Sequence, residues 1–495
     1  MKKVVCFVSL LITILIVGCS SDNDFVIPEI PGQNMDTDEV QLVFKATTTK
    51  SVLTFSVESG DDKRVKINWG DNQKLTSYES SGEISYTYPE EDKEYIITIR
   101  ASKITSLDLT NQSANNLLGV YLGNCPELTK LNFNKENRLS AFDLSKCPQF
   151  KNITISVNTS SFDWKGLSNV INLDIMVNAS TDIDLTGFRQ LAMCGIFVDV
   201  AKTSHLGRFK LYDNPELKSL TLSGYSYLGG VMYPIGINTW DVTAPAIHYM
   251  LLRNVIVHGD VNLAKMDGLR ELTLYGFECR GEITFNPGLE EFTMQNEWNP
   301  NVNWRLGKLD FSGHKNLTYL SVIVQPGITS VDVSGAERLQ RIMMQKCNIV
   351  TELSLENLPS LTSVGCFNND YLENLKLKNL PGLLVVTAHD NPMLSSIALG
   401  NSPKTWDMNL SRNNLGDAAI KSIFSALPGV YPEVGKRKYS IVGNPGDLPA
   451  VHEFIQNLGQ WRNADNPVEG NANKHAAPQD VIPNIDHGII RLRAE

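Results

Sequence analysis

The sequence predicts a mainly β protein: a long solenoid of about 22-residue coils, preceded by a small β-sandwich and closed by a small α/β C-terminal cap. The first observation is a repeat of apolar pairs spaced by two, which recurs at an 11-residue step from Leu309 to Met408. The second is a run of short segments over residues 40–100 that alternate or cluster β-branched and aromatic residues between polar turns. The third is a pair of segments with helical apolar spacing after residue 411.

Composition excludes several broad classes. The chain has 495 residues, of which 42% are hydrophobic and 20% charged, so a disordered or collagen-like chain is excluded. A formal net charge of −10 argues against a broad nucleic-acid-binding face, because neutralising phosphates needs clustered Lys and Arg. The one long apolar run stands at the N-terminus, which excludes a polytopic membrane protein.

The N-terminus carries a secretion signal. Lys2 and Lys3 precede an apolar stretch, Val4 to Val17, which is too short for an ordinary membrane-spanning helix and has the length of a signal-peptide core. It ends in Ile16-Val17-Gly18-Cys19, which resembles the lipobox of bacterial lipoproteins. The resemblance implies a lipoprotein signal peptide at residues 1–18 and a lipidated Cys19 that holds the protein on a membrane. A plain secretory signal with an incidental cysteine is the alternative.

An acidic, flexible tether is expected at residues 19–39. Ser20-Ser21-Asp22-Asn23-Asp24 resembles the surface-export signal of Bacteroidota lipoproteins, and a solvated tether without an address is the alternative. Pro28, Pro31 and Gly32 follow without a strand period, so we expect a spacer between the membrane and the folded part.

Residues 40–101 combine short strands with a distinctive turn. Ile67-Asn68-Trp69-Gly70-Asp71-Asn72 is followed by Tyr86-Thr87-Tyr88 and by Tyr95 to Ile99. This arrangement resembles a PKD-like immunoglobulin sandwich with its WGDG-type turn, except that Asn72 stands in place of the usual second glycine. We interpret Asp71 as a turn residue, with calcium ligation as the alternative.

Residues 102–411 carry the repeat. Both apolar side chains of an x-L-x-L unit leave the same face of a strand, so two such strands per 22-residue unit describe one coil with a strand on each side. The repeat resembles a leucine-rich repeat. Polar residues follow several pairs, as at Asn214, Asn369 and Asn391, and we expect such side chains to satisfy backbone groups that a tight coil leaves unpaired.

A C-terminal cap is expected at residues 412–463, followed by a polar tail at 464–495. Residues 417–427 have helical spacing, residues 438–442 read as a strand, and Pro449 opens a second helix that ends at Gly459. This order resembles the cap of Bacteroidota leucine-rich-repeat lipoproteins. The apolar positions of the two helices are Ile420, Ile423, Phe424 and Leu427, then Val451, Phe454, Ile455 and Leu458.

The sequence contains no local catalytic or metal-binding motif. Phosphate-binding glycine loops, nucleophile elbows and HExxH are absent, the eight histidines are dispersed, and no CxxC or Cys-His cluster indicates zinc. The six cysteines after Cys19 are scattered, so we interpret them as buried free thiols rather than a disulfide framework. We therefore expect a non-enzymatic protein without a cofactor or a metal.

Aromatic residues cluster where the repeat is most disturbed, between about residues 223 and 305. Insertions in a repeat protein form loops on one side of the array, and loops carry function more often than scaffold does. Aromatic rings beside Asn and Asp suit sugar stacking or a protein hot spot, and the alternative is that they only cover irregular coils. The candidate ligand-binding residues are Tyr225, Tyr227, Tyr233, Trp240, Tyr249, Tyr275, Trp298 and Trp304.

Lipobox, acidic leader, PKD-like module, leucine-rich repeats and cap together resemble a Bacteroidota surface lipoprotein over nearly the whole mature chain. The resemblance implies a protein held by lipid in the outer membrane, facing the cell exterior, that recognises a protein or a glycan. The alternative that it implies is an accessory or structural subunit of a TonB-dependent uptake complex for glycans or peptides, beside the transporter and its lipoprotein lid. A fold alone does not choose between these functions.

Overall fold

The computed structural model describes residues 30–465 apart from 49, 61–63, 73–74, 80–81, 111–115, 134–138, 158–159, 202, 226, 229–230, 233, 297–306, 326, 348–349, 428–436 and 460. The fold class is confirmed: the protein is mainly β, with a solenoid of about 22-residue coils and two α-helices among the described residues. The signal peptide, Cys19 and the polar tail from residue 466 onward lie outside the described residues. Internal contacts divide the chain into two compact units, one reaching Phe150 and the other beginning in the main at Ser168, with residues 151–167 split between them.

The elements follow in chain order. The first eleven strands are β1 (Glu39–Ala46), β2 (Val52–Ser59), β3 (Arg64–Asn68), β4 (Thr76–Glu79), β5 (Glu83–Thr87), β6 (Lys93–Ala101), β7 (Ile104–Leu109), β8 (Leu117–Leu122), β9 (Lys130–Phe133), β10 (Ala141–Asp143) and β11 (Asn152–Val157). A 3-10 turn, Lys165–Leu167, comes next. The following strands are β12 (Asn172–Val177), β13 (Ile183–Asp184), β14 (Met193–Asp199), β15 (His205–Leu211), β16 (Ser219–Tyr225), β17 (Tyr227–Leu228), β18 (Val231–Met232), β19 (Ile235–Val242), β20 (Tyr249–Val257), β21 (Val261–Asn262), β22 (Glu271–Cys279), β23 (Ile283–Thr284), β24 (Glu291–Gln295) and β25 (Gly307–Asp310). The regular coils and the cap contain β26 (Tyr319–Ile323), β27 (Ile328–Asp332), β28 (Arg341–Gln345), β29 (Glu352–Glu356), β30 (Ser363–Phe367), β31 (Asn374–Lys378), β32 (Val385–Thr387), β33 (Ser396–Gly400), β34 (Asp407–Asn409), α1 (Asp417–Ser425), β35 (Arg437–Ser440), α2 (Pro449–Asn457) and β36 (Trp461–Asn463).

The first unit is built from two sheets, with strand orders β10-β8-β1-β6-β3-β4 and β5-β2-β7-β9. Aromatic side chains fill its core: Phe55 packs against Trp69 with ring centroids 5.9 Å apart, and Phe44 stacks on Tyr88 at 5.2 Å. Asp71, in the turn after Trp69, accepts a hydrogen bond from the Tyr86 hydroxyl.

Both sheets of this sandwich continue into the first coils of the repeat. β8 pairs antiparallel with β1, where Val120 lies opposite Leu42, and β7 pairs antiparallel with β2. β10 and β9 then add to β8 and β7 in parallel. The first coil therefore meets paired strands instead of water, which removes the open edge that a solenoid otherwise presents.

A long parallel sheet runs through the second unit, and its register repeats with the coil. Leu320, Ile342, Val364, Val386 and Met408 are successive partners on β26, β28, β30, β32 and β34, each one full coil after the last. All are almost fully buried. The alternate strands form shorter parallel sheets, β25-β27 and β29-β31-β33, whose leucines enter the same core.

The register is uneven in the region that the sequence indicated. Leu220 on β16 pairs with Met250 on β20, and Phe292 on β24 pairs with Leu320 on β26. In both pairs, the number of residues between the partners is larger than in a regular coil. The extra length accommodates the hairpin β17-β18 together with β19 in the first case, and residues that lie largely outside the described part in the second.

Each half-coil of the regular region turns at a residue with left-handed backbone. Positive φ angles recur at an 11-residue step from Gly313 to Arg412, so every 22-residue coil has two such corners. Glycine and asparagine tolerate this conformation best. The ten corner residues are Gly313, Val324, Gly335, Lys346, Asn357, Asn368, Asn379, Asp390, Asn401 and Arg412.

Buried asparagines stack from coil to coil beside one of these corners. The backbone N–H groups of Cys347, Asn369 and Asn391 donate to the Oδ1 atoms of Asn369, Asn391 and Asn413 at 2.9, 3.0 and 2.9 Å. Their Nδ2 groups donate to main-chain carbonyls of the coil, as that of Asn391 does to Cys366 at 3.0 Å. Asn214 likewise donates to the carbonyl of Leu185 at 2.8 Å. The expectation that these side chains satisfy backbone groups is confirmed.

The cap follows the predicted order of helix, strand and helix. α1 buries Ile420, Ile423 and Phe424, and α2 begins at Pro449 and buries Val451 and Ile455. β35 and β36 extend the long sheet beyond β34. In the part of the chain that the structure describes, neither helix is long and apolar enough to cross a membrane.

The cysteines of the folded part are buried and form no disulfide among the described residues. Burial raises the pKa of the Cys194 and Cys366 thiols, which keeps them protonated. The six are Cys125, Cys147, Cys194, Cys279, Cys347 and Cys366.

Candidate binding surface

The outward side of the long sheet in the second unit carries regular rows of side chains, and we call it the outer sheet face. Because side chains alternate along a strand, the buried Met250 and Leu252 of β20 leave Tyr249, Leu251 and Arg253 pointing outward. Because the strands are in parallel register, such positions form three rows that cross the sheet, and neighbours within a row are about 4.8 Å apart. On β22, β24, β26 and β28 the residues of these rows are Glu271, Thr273 and Tyr275; Glu291, Thr293 and Gln295; Tyr319, Ser321 and Ile323; and Arg341, Met343 and Gln345, of which Ser321 is buried.

Two of the predicted aromatic residues lie on this face, in its first and third rows. Tyr249 and Tyr275 are half-buried on the neighbouring strands β20 and β22. The guanidinium of Arg253, the register partner of Tyr275, lies 5.0 Å from the centroid of its ring. Glu271 is the register partner of Tyr249. We call these four residues the tyrosine patch.

Burial and acidic neighbours define the electrostatics of the patch. Burial, and then the carboxylate of Glu271, raise the pKa of Tyr249, so its phenol stays protonated at neutral pH. Burial, and then Glu291 and Glu290, raise the pKa of Glu271. Arg270 lies 3.3 Å from Glu290 and partly balances this acidic group. The patch therefore combines two phenols, a ring-stacked cation and an exposed carboxylate.

Trp240 is placed apart from the tyrosine patch. It lies on β19 in register with the buried Phe209 of β15, with ring centroids 5.5 Å apart in an edge-to-face arrangement. Its indole Nε1 is buried and has no hydrogen-bond partner among the described residues. This packing agrees with the alternative interpretation, in which a ring covers an irregular coil.

The remaining candidates fall wholly or partly outside the description. The backbones of Tyr225 and Tyr227 lie in β16 and β17, and their side chains are not among the described ones. Tyr233, Trp298 and Trp304 lie outside the described residues. Their part in a ligand site stays a prediction.

Sequence reasoning missed the charged members of the patch. Arg253 and Glu271 read as ordinary polar positions of two strands, and only the register reveals that they lie beside Tyr275 and Tyr249. A period-two reading of β20 and β22 gives their outward direction, but strand pairing across one full coil is required to bring them together.

A second polar group lies farther along the sheet, after β30 and β32. The ring of Phe367 stacks on His389 with centroids 5.0 Å apart, and His389 is hydrogen-bonded to Asp390. Arg412 forms a bidentate pair with Asp390 and, as the largest influence, holds the pKa of that carboxyl below its ordinary value. These side chains bond one another from coil to coil, which indicates a structural role.

The geometry offers no clustered set of metal ligands within the described residues. There, no three His, Cys, Asp or Glu side chains come together in a group that could hold a metal ion.

Comparisons with known proteins give structural neighbours of low similarity. The chain is similar to an internalin (inlF) from Listeria monocytogenes strain 4b F2365, with 15% identity and a TM-score of 0.32, over 73% of this chain and 86% of that one. It is also similar to the functional domain of InlJ from Listeria monocytogenes, described as including a cysteine ladder, with 11% identity and a TM-score of 0.28, over 68% of this chain and 74% of that one. No protein-family model and no curated protein matches the chain.

Proposed function

We propose that this protein is a non-enzymatic surface lipoprotein that recognises a protein or a glycan through the outer sheet face of its solenoid. The tyrosine patch is the observation that carries the proposal. Tyr and Arg are the residue types that dominate binding energy at recognition sites, since they bury large areas and also form directed polar contacts.

The state of these side chains supports a role in binding. Tyr249 and Tyr275 are already held half-buried by the sheet, so little side-chain entropy remains to be lost when a ligand covers them. Arg253 is positioned over the Tyr275 ring, which leaves an exposed surface of mixed character. A broad sheet face of this kind suits an extended ligand more than a small molecule that needs enclosure.

The sequence supports the second half of the proposal, lipid anchoring in the outer membrane facing the exterior. Ile16-Val17-Gly18-Cys19 provides the lipidation signal, and the acidic residues after Cys19 provide the export signal. The predicted tether is shorter than residues 19–39, because Gly32 donates to Gln41 and Asp38 to Asn124 within the folded part, and only residues before Ile30 are left to serve as the spacer.

The proposal is tested by screening the mature chain against glycan and protein arrays and then measuring affinity for the strongest ligand. Tyr249→Ala combined with Tyr275→Ala is expected to weaken binding about tenfold or more, because two hot-spot side chains are removed. Tyr371→Ala is the matched control, since Tyr371 is 51% exposed in a turn outside the sheet. Unchanged affinity in the double variant, with its melting temperature preserved, would remove the patch from the site.

The accessory-subunit alternative gives a different result in the native membrane. Affinity purification of the tagged full-length protein in mild detergent would then recover a stoichiometric transporter, and the array screens with the isolated chain would be empty. Recovery of the protein alone, with a ligand found on the arrays, supports independent recognition.

A further inference from the structure

A shallow cleft opens among the irregular coils, at strand ends away from the tyrosine patch. It has a volume of about 470 Å³, within the range of roughly 300–1,000 Å³ typical of small-molecule sites. The lining residues come from the ends of β15, β19 and β20 and from the turn after β22. They are Ser204, His205, Pro234, Gly236, Asn238, Ile256, His258 and Arg280.

The lining is rich in hydrogen-bond donors and has no acidic member among the described residues. Arg280 supplies a cation, two histidines supply ring nitrogens, and Ser204 and Asn238 supply a hydroxyl and an amide. Pro234 and Ile256 supply apolar side chains to the wall of the cleft. In a chain whose formal net charge is −10, a cleft lined in this way favours a ligand that accepts hydrogen bonds and carries negative charge.

Arg280 fixes the tautomer of His258. Its Nη1 lies 3.1 Å from His258 Nδ1, and a guanidinium can only donate, so Nδ1 accepts and the proton of the neutral ring is on Nε2. Nε2 lies 2.8 Å from the position that a Cβ of residue 236 would occupy. A Cβ at that distance would collide with the ring, so His258 can lie in this position only because residue 236 is glycine.

Glu278 positions the Arg280 side chain. Its Nε donates to the buried carboxylate of Glu278 at 3.2 Å, and this bond and the bond to His258 use two of its five N–H donors. The Arg280 side chain is about half exposed, so its other donors can reach a ligand in the cleft. Glu278 and His258 thus orient the guanidinium without enclosing it.

We propose that this cleft is a second binding site, separate from the outer sheet face, and that it takes a hydroxylated carboxylate of the sugar-acid class. Arg280, which His258 and Glu278 orient, holds the carboxylate by charge-assisted hydrogen bonds. Ser204 and Asn238 bond the hydroxyl groups, and Pro234 and Ile256 cover a C–H face of the ring. The site does not depend on the proposed recognition by the tyrosine patch.

The test is a titration of the mature chain with glucuronate and with glucose, followed by calorimetry or ligand-observed NMR at constant ionic strength. The two sugars differ in the carboxylate, so glucuronate is expected to bind and glucose to bind about tenfold more weakly or not at all. Arg280→Gln is expected to reduce glucuronate affinity about tenfold or more. Arg189→Gln is the matched control, because Arg189 is an exposed arginine paired with Asp213 elsewhere on the solenoid.

A second variant tests the cleft without removing a polar group. Gly236→Ala places a Cβ 2.8 Å from His258 Nε2, so the ring must shift and its bond to Arg280 is disturbed, and glucuronate affinity is expected to fall. Absence of glucuronate binding, equal affinity for glucuronate and glucose, or an Arg280→Gln variant that binds as the wild type does, would each overturn the proposal. Loss of array binding in the tyrosine-patch variant has no bearing on it.

Discussion

At the scale of single residues, the corners of the coil impose a backbone requirement that one side chain does not meet. Val324 has φ of 54° in a series whose other members are Gly, Asn, Asp, Lys or Arg. A β-branched residue is the least suited to left-handed backbone, because its Cβ substituents crowd the adjacent carbonyl. The corner at residue 324 is therefore held in place by the coils around it.

Replacing Val324 by asparagine is expected to stabilise the protein. The change relieves a strain of about 1 kcal/mol at a half-buried corner, so the urea midpoint and the melting temperature should rise. The reverse change at the equivalent corner two coils later, Asn368→Val, should lower both by a similar amount. A Val324→Asn variant less stable than the wild type would show that packing of the valine outweighs its backbone strain.

The buried asparagines give a second prediction at this scale. Asn391 is fully buried, accepts from the backbone N–H of Asn369 and donates to the carbonyl of Cys366. Asn391→Ala leaves both groups without their partner, so we expect a loss of about 2–4 kcal/mol in the free energy of unfolding. Chemical denaturation measures it.

An exposed amide of the same repeat is the control for that change. Asn379 donates to Asn357 on the surface at 2.8 Å and has φ of 59°. Asn379→Gly removes this amide and keeps a residue that adopts left-handed backbone freely, so it should cost well under about 1 kcal/mol. Equal losses in the two variants would mean that burial does not set the cost.

At the scale of elements, local sequence patterns predicted most strands and both helices. They did not predict which strands pair across long distances in the sequence. The 11-residue step places Leu353 and Leu355, or Leu375 and Leu377, correctly on inward strand positions, because alternation within a strand is a local property. α1 and α2 were likewise identified from apolar spacing and from Pro449. The pairing of β1 with β8 and of β2 with β7 joins segments distant in sequence, and nothing in either strand alone specifies its partner.

The turns after the strands of the shorter sheets give a pH-dependent prediction. Asp310 accepts the backbone N–H of Ser312 at 3.0 Å and the ammonium of Lys308 at 2.9 Å. Hydrogen bonding from Ser312, and then from Lys308, holds the pKa of Asp310 well below its ordinary value of 3.8. Since the pKa is lower in the folded state, the carboxylate stabilises the fold at neutral pH, and that contribution is lost as the pH falls below 3.8 toward the folded pKa.

Asp310→Asn keeps the acceptor for Ser312 and removes the charge. At pH 7 we expect it to lower stability by up to about 1 kcal/mol, because the carboxylate is half exposed and screened by solvent. At pH 3 the difference from the wild type should narrow, because the carboxyl of the unfolded chain then takes up a proton while that of the folded protein stays ionised. Urea midpoints at the two pH values measure this, and a difference that grows on acidification would contradict the assignment.

At the scale of the whole molecule, identifying the candidate sites required the structure, whereas the sequence alone predicted the fold class. Aromatic content and the disturbed period indicated the region where the register is uneven, and they brought Tyr249 and Tyr275 into consideration. They could not separate these two from Trp240, because the direction of a ring depends on which strand it occupies and on what that strand pairs with. The cleft at Gly236, His258 and Arg280 was not identified, since isolated histidines and glycines in a repeat carry no local signal.

The function of the whole molecule also depends on where Cys19 places it. Each buried CH₂ of an acyl chain contributes roughly 0.8 kcal/mol to membrane binding, so several chains on one cysteine retain a protein firmly, whereas the unlipidated chain has no such hold. Cys19→Ser is therefore expected to abolish incorporation of labelled palmitate and to move the protein from the membrane fraction to the soluble fraction. Cys6→Ser is the matched control, because Cys6 lies within the apolar stretch of the proposed signal peptide and would be removed with it. That variant should remain in the membrane fraction with its label, and a Cys19→Ser protein that stays there would mean that something other than lipid holds it.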